Sequence, residues 1–190
     1  MKLDHATELA NRWVERLRPG CTRIEVAGSI LRQKQEVGDI DIVCMPVLTP
    51  VPDLFGDETG ESVNELERLI EEEIRDENLQ LHIDERGRTC NGPRHKKLWM
   101  PEEIKVELWI VFPPSQWGVI FAIRTGPAEY SHWFVTSRQQ GGGCPSPLQV
   151  KDGHVQHRNT GVVYKTPEEK DFFELLQIPY QEPNLRGIPK

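Results

Sequence analysis

The feature that most constrains this chain is a short alternating run, Gly38-Asp39-Ile40-Asp41-Ile42-Val43. Its apolar residues recur with a period of two, which is the period of a β-strand half buried in a sheet. On such a strand Asp39 and Asp41 project from one face, while Ile40 and Ile42 turn to the core. Two carboxylates held side by side repel each other unless a cation lies between them. The run therefore predicts a strand whose polar face binds a cation.

A second alternating run, 105–112, predicts another strand. One face is apolar, with Val106, Leu108, Ile110 and Phe112, and the other carries Lys105, Glu107, Trp109 and Val111. Oxygen ligands suit Mg²⁺, and a third carboxylate on a neighbouring strand would allow two ions about 3.5 to 4 Å apart. We therefore predict that Asp39, Asp41 and Glu107 are catalytic and bind two Mg²⁺ ions, for which Mn²⁺ can substitute.

The polar segment before the first of these strands begins with Gly28-Ser29. This turn offers backbone N–H groups and a hydroxyl, and Arg32 can donate charge-assisted hydrogen bonds to phosphate oxygens. Next to a metal site, these groups predict that the chain binds a nucleoside triphosphate.

The remaining patterns predict an α/β (α+β) fold. Further strands are expected at 23–27, 79–84 and 95–100, and helices at 3–17, after the capping box 62–65, at 117–123, from 127 to before 141, and after the helix-start signal 166–169. Asp152-Gly153 indicates a hairpin turn, which we prefer to a zinc site at His154 and His157.

A chain of 190 residues fits one compact domain or two small subdomains that share a cleft. Its 23 basic and 30 acidic residues give a net charge of −7, which argues against indiscriminate binding of nucleic acid. The apolar runs are too short for a membrane span, and four separated cysteines without a CxxC pair indicate a reducing compartment. We expect a monomer without a membrane partner, acting in the cytoplasm or, for a viral or phage protein, in the host cytoplasm.

Six basic side chains fall between positions 86 and 97, namely Arg86, Arg88, Arg94, His95, Lys96 and Lys97. A solvated loop and a contact with the phosphate backbone of a nucleic acid both explain such a cluster.

Together these motifs resemble the nucleotidyltransferase superfamily of DNA polymerase beta, and specifically the family X DNA polymerases. The signature of that family is matched by Gly28-Ser29, Arg32 and Gly38-Asp39-Ile40-Asp41. Lys105-Val106-Glu107 resembles its third-carboxylate strand, Thr125-Gly126 its turn beside the incoming nucleotide, and 168–186 its C-terminal segment.

The resemblance implies that Asp39, Asp41 and Glu107 bind metal. It implies nucleotide contacts from Gly28, Ser29, Arg32, the Gly38 backbone, Thr125 and Gly126, and DNA contacts from Arg86, Arg88, Arg94, Lys96 and Lys97. The fold expected from it is a palm at 1–112, with a mixed or antiparallel sheet and flanking helices, followed by a thumb-like part at 113–190. Because the chain begins directly before the palm, a minimal form is expected.

The activity expected from the resemblance is addition of deoxynucleoside monophosphates to a DNA 3′-hydroxyl, as in a reduced repair or viral polymerase. Two departures from the family are Glu107 in place of an aspartate and Ile123-Arg124 in place of an aromatic pair. The alternatives are template-independent addition, transfer to RNA, a small molecule or a protein, and a non-catalytic module that binds nucleotide.

Overall fold

The computed structural model describes residues 1–52 and 58–188, which form a mixed α+β fold. The helices are α1 (Leu3–Leu17), α2 (Gly28–Leu31), α3 (Glu65–Arg75), α4 (Trp117–Thr125), α5 (Ala128–Val135) and α6 (Glu169–Leu175). The strands are β1 (Cys21–Val26), β2 (Ile40–Pro46), β3 (Leu48–Pro52), β4 (Glu58–Asn64), β5 (Gln80–Leu81), β6 (His95–Trp99), β7 (Lys105–Ile110), β8 (Leu148–Lys151), β9 (His154–His157) and β10 (Val163–Tyr164). This order confirms the predicted combination of a mixed sheet with flanking helices.

The main sheet has five strands in the order β1-β2-β7-β6-β5. β2 and β7 are parallel, and the other neighbours are antiparallel. β3 and β4 form a separate two-stranded hairpin, and β8, β9 and β10 form a three-stranded sheet. The hairpin turn predicted at Asp152-Gly153 is confirmed, since both residues have positive φ and join β8 to β9.

One face of the main sheet carries the larger apolar core. The period-two pattern of β2 and β7 puts alternate residues there, and α1 and α3 cover them with their own apolar sides. The cluster includes Leu9, Trp13, Ile40, Ile42, Leu66, Ile70, Val106 and Leu108. The opposite face of the same strands is therefore free to carry polar side chains, as the alternation predicts.

A second apolar core holds the C-terminal part together. It joins α4, α5, α6 and the three-stranded sheet through residues that include Val119, Phe134, Val155, Phe172 and Phe173. The other side of α4 packs on the main sheet, because Trp117 and Phe121 meet Val43 and Val111. α4 thus links the two cores, and a domain boundary at residue 112 stays a prediction.

Two predicted helix starts are wrong. The N-cap of α3 is Asn64, whose side chain accepts a hydrogen bond from the Glu67 backbone, because Ser62 is paired with Pro50 in the β3–β4 hairpin. The N-cap of α6 is Glu168, which forms a capping box with Asp171, so that α6 begins after the predicted Thr166 cap. A strand predicted over 79–84 is limited to β5.

Within residues 1–52 and 58–188, no helix has the length and apolarity needed to cross a membrane.

Candidate functional site

The polar face of the main sheet brings the predicted catalytic carboxylates close to one another. In the parallel pair, Asp41 lies directly opposite Glu107. Asp39 precedes β2, and its carboxylate lies 3.2 Å from Nζ of Lys105, the first residue of β7. This face, with Asp39, Asp41 and Glu107 at its centre, is called the carboxylate face below.

Asp41 is held by its neighbours on both sides. The indole Nε1 of Trp109 donates a hydrogen bond to Asp41 Oδ1 over 3.0 Å. Gly28 has φ of +62°, and a Cβ at that position would overlap the Asp41 carboxylate, so that glycine is required there for two reasons. Burial raises the pKa of Asp41, the Trp109 hydrogen bond opposes that shift, and the charges of Asp39 and Glu107 add to it.

Glu107 has a different environment. Its Oε1 lies 2.9 Å from Lys97 Nζ and 3.1 Å from Lys105 Nζ, and its Oε2 lies 3.1 Å from His95 Nε2. Burial alone would raise the pKa of Glu107, but hydrogen bonds from His95, Lys97 and Lys105 outweigh it and hold the pKa well below its usual range. Glu107 is therefore an ionised acceptor that is already surrounded by cationic and N–H groups.

The fit of these residues to a metal is only partial. Across the described ranges, no three His, Cys, Asp or Glu side chains stand close enough together to hold one ion. Asp39 and Asp41 remain suited to Mg²⁺, which proteins commonly bind through one or two carboxylates plus substrate phosphates. Glu107 does not fit as a third ligand in this arrangement, because both of its oxygens accept from protein N–H groups.

The predicted triphosphate contacts lie at the edge of the carboxylate face. Arg32 crosses to the C-terminal part, where its Nη1 donates to the carbonyl of Gly126 over 3.1 Å and lies 3.4 Å from that of Thr125. Burial lowers the pKa of Arg32, while Asp41 and Asp39 act in the opposite direction. Arg32 therefore links two segments that the family resemblance assigns to the nucleotide site.

Two buried polar atoms in this region have no hydrogen-bond partner among the described residues, Ser29 Oγ and Arg32 Nε. Gly28 and Ser29 open the short helix α2, and Arg32 directly follows it. Buried polar groups in folded proteins are nearly always paired, so unpaired ones require an explanation. Six further atoms of the described chain share this property, among them Arg124 Nε above Trp109 and Arg186 Nη2.

Trp109 is at the centre of a stack that the sequence did not predict. The His95 ring lies parallel to it, with centroids 3.6 Å apart, and the Arg124 guanidinium carbon lies 3.2 Å from its centroid. A cavity of about 230 Å³ opens beside this stack, lined in part by Arg94 and Asp152. The period of two correctly puts Trp109 and Lys105 on the face of Glu107, but it does not indicate which side chains they contact.

The Thr125 side chain turns away from the carboxylate face. Its hydroxyl hydrogen-bonds Glu169 Oε1 at 2.9 Å and accepts from Arg186 Nη1, and Arg186 Nη2 lies 2.8 Å from Glu169 Oε2. We call Thr125, Glu169 and Arg186 the buried arginine network. At the predicted nucleotide turn, only the backbone of Thr125-Gly126 faces Arg32. Gly38 is exposed beside Asp39.

The predicted DNA-binding cluster is divided between two faces of β6. Lys96 is 1% exposed, and its Nζ bonds Glu67 Oε1 at 2.8 Å and Asn91 Oδ1 at 2.6 Å. The prediction that Lys96 contacts DNA needs correction, because its charge is buried on the α3 side of the sheet. Lys97 pairs with Glu107 instead.

The remaining basic side chains of the cluster are exposed. Arg88 forms an ion pair with Asp84 over 2.9 Å, which reduces its availability to a phosphate. Arg86 and Arg94 are also exposed, and Arg94 Nη2 lies 3.4 Å from the Pro113 carbonyl beside the cavity. Any backbone contact from this cluster therefore centres on Arg86 and Arg94.

A scan against protein-family models gives no match for this chain, and a search of curated proteins gives none either. The function is therefore inferred from the geometry of the chain itself.

Proposed function

We propose that the protein is a metal-dependent nucleotidyltransferase that adds nucleoside monophosphates to a DNA 3′-hydroxyl and releases pyrophosphate. One observation carries the proposal, namely that four segments meet at the carboxylate face. Parallel pairing of β2 with β7 sets Asp41 opposite Glu107, and the Asp41 carboxylate packs against Gly28. Arg32, which follows α2, donates a hydrogen bond to the backbone of Gly126. Segments nearly a hundred residues apart in the chain thus meet at one polar face. The same segments carry the resemblance to family X polymerases.

The chain's own side chains account for nucleotide binding. Ser29 Oγ and Arg32 Nε, both without a partner in the described chain, are donors that suit phosphate oxygens. Gly28 lacks a side chain where the Asp41 carboxylate lies, so Asp41 can pack directly against the start of α2 beside Ser29. Asp39 and Asp41 would hold Mg²⁺ together with the triphosphate.

Bound in that way, Mg²⁺ would neutralise charge that develops on the phosphates. Asp41 would then orient the reacting groups from a fixed position, since Trp109 and Gly28 limit its rotation. Fixed geometry of this kind lowers the barrier by avoiding reorganisation during the reaction. By resemblance to family X polymerases, residues 1–112 correspond to the palm and residues 113–190 to a thumb-like part.

One observation favours a different acceptor. With Lys96 buried, and with Arg88 and Lys97 engaged in ion pairs, few free cations remain in the described part of the predicted DNA contact. Phosphate-backbone binding depends on such free cations. A second candidate is therefore nucleotidyl transfer to an RNA, protein or small-molecule hydroxyl by the same site.

Primer extension separates these candidates. The protein is incubated with single-stranded, templated or gapped DNA, each deoxynucleoside triphosphate and Mg²⁺ or Mn²⁺, and pyrophosphate release is measured in parallel with and without DNA. Extension on templated or gapped DNA is the expected result. Pyrophosphate release that depends on another acceptor, without extension, supports the second candidate. Absence of both extension and pyrophosphate release with every acceptor would contradict the proposed activity.

A further inference from the structure

The ammonium group of Lys105 lies between two of the predicted metal ligands. Its Nζ is 3.2 Å from Asp39 Oδ2 and 3.1 Å from Glu107 Oε1. Lys97 Nζ approaches the same Glu107 oxygen to 2.9 Å. A positive charge therefore already occupies the space where a divalent ion would bridge Asp39 and Glu107.

A divalent ion and this ammonium group exclude each other. Mg²⁺ requires nearly ideal octahedral coordination by oxygen, and like charges within a few ångströms repel strongly in a partly buried site. Glu107 is 7% exposed and Lys105 is about one-quarter exposed, so water screens this repulsion only in part. The Lys105 charge therefore opposes an ion at Asp39, although the Asp39 side chain is 37% exposed.

We propose that Lys105 is the built-in counter-cation of the carboxylate face and competes with a divalent ion for Asp39. Lys97 and His95 hold Glu107 in place as the acceptor of Lys105, which makes Glu107 a positioning residue in the nucleotide-free protein. A divalent ion then enters with the triphosphate, whose oxygens replace the contacts that are lost when Lys105 moves. That last step rests on the proposed function, whereas the competition at Asp39 does not.

Binding of Mn²⁺ alone to the nucleotide-free protein tests the competition, with free Mn²⁺ followed by electron paramagnetic resonance. Lys105→Ala is expected to lower the Kd for Mn²⁺ at least tenfold relative to the unaltered protein, because an opposing charge has been removed. Lys105→Arg keeps the charge and is expected to leave the Kd within about threefold. Lys34→Ala, which removes an exposed lysine elsewhere, serves as the matched control and should change the Kd less than twofold.

A second variant locates the effect. In the Lys105→Ala background, Asp39→Asn should abolish the gain in affinity, since the gain is assigned to that carboxylate. Lys105→Gln replaces Lys105→Ala if circular dichroism finds the alanine protein unfolded. A Kd for Lys105→Ala or Lys105→Gln within twofold of the unaltered protein overturns the inference, and so does an equal gain in Lys34→Ala.

The two proposals fail separately. Tighter Mn²⁺ binding by Lys105→Ala together with no transfer to any acceptor would remove the proposed function and keep Lys105 as the counter-cation. Normal primer extension together with an unchanged Kd for Mn²⁺ in Lys105→Ala would keep the proposed function and remove Lys105 as the counter-cation.

Discussion

Two arginines lie at the Thr125-Gly126 turn, and they differ in whether a carboxylate pairs with them. In the buried arginine network, the fully buried Arg186 side chain lies 2.8 Å from Glu169 and donates its Nε to the Gln181 carbonyl over 3.0 Å. Arg32, at the carboxylate face, donates to the Gly126 carbonyl and forms no ion pair with a carboxylate of the described residues. Nε of Arg32 and Nη2 of Arg186 each lack a hydrogen bond within the described chain.

This difference separates a structural cluster from a candidate binding site. A buried ion pair with further hydrogen bonds is strongly destabilised when one partner is removed, since the other charge is left buried. An arginine that bonds only backbone carbonyls instead keeps a charge that an anionic ligand can pair with. We therefore expect the buried arginine network to determine stability and the carboxylate face to determine function.

The largest expected effect is on the buried arginine network. Arg186→Leu should reduce the free energy of unfolding by about 3 to 5 kcal/mol, because the Glu169 carboxylate loses its counter-charge. Urea unfolding followed by circular dichroism measures this difference. The double variant with Glu169→Leu should recover part of the loss, and a cost below about 1 kcal/mol for Arg186→Leu alone would mean that the two regions do not differ as described.

Arg32→Ala should affect nucleotide transfer more than stability, whereas Arg186→Leu should mainly affect stability. A charged hydrogen bond contributes about 1.5 to 3 kcal/mol, so kcat/KM for the nucleotide should fall roughly 10- to 150-fold, with KM raised as well as turnover slowed. The free energy of unfolding should fall by about 0.5 to 1.5 kcal/mol, because the hydrogen bond to the Gly126 carbonyl is lost, and so by less than in Arg186→Leu. Steady-state kinetics with varied triphosphate provides the first quantity, and an unchanged kcat/KM would show that Arg32 serves only to hold the turn.

The smallest expected effect concerns Ser29. Ser29→Ala removes a buried hydroxyl without a partner in the described chain, so stability should stay the same or rise slightly. Nucleotide affinity should fall by about 0.5 to 1.5 kcal/mol, which corresponds to one neutral hydrogen bond. Calorimetric titration with a non-hydrolysable triphosphate distinguishes these outcomes. A clear loss of stability without a loss of affinity would assign Ser29 to the fold.

Much of the fold could be predicted from periodicity. The alternation in β2 and β7 correctly places Ile40 and Leu108 in the core. It places Asp41 and Glu107 on the opposite face, because successive residues of a strand point to opposite faces of the sheet. The same rule explains the correction at Lys96 and Lys97. Adjacent residues on one strand point to opposite faces, so both could not belong to one exposed patch.

The pairing of side chains across elements could not be predicted in this way. Lys105 meets Asp39 through strand pairing, and Arg186 meets Thr125 across 61 positions of the chain. Periodicity gives the face on which a residue lies but not which distant element covers it. The α3 start at Asn64 was missed for a related reason, since Ser62 pairs with Pro50 in the β3–β4 hairpin. The α6 start was missed because Asp171 rather than Glu169 completes the capping box.

Asp41→Asn separates a role of the carboxylate face in nucleotidyl transfer from a role in folding. Burial raises the pKa of Asp41 in the folded protein, so ionisation of this carboxyl lowers the free energy of unfolding as the pH rises toward neutral. A neutral amide at this position should therefore preserve or increase the free energy of unfolding at neutral pH. We predict an intact unfolding transition together with less than about a tenth of the unaltered kcat, a loss above ~1.4 kcal/mol in transition-state stabilisation. A folded Asp41→Asn protein that transfers nucleotide at more than that rate would contradict the assignment.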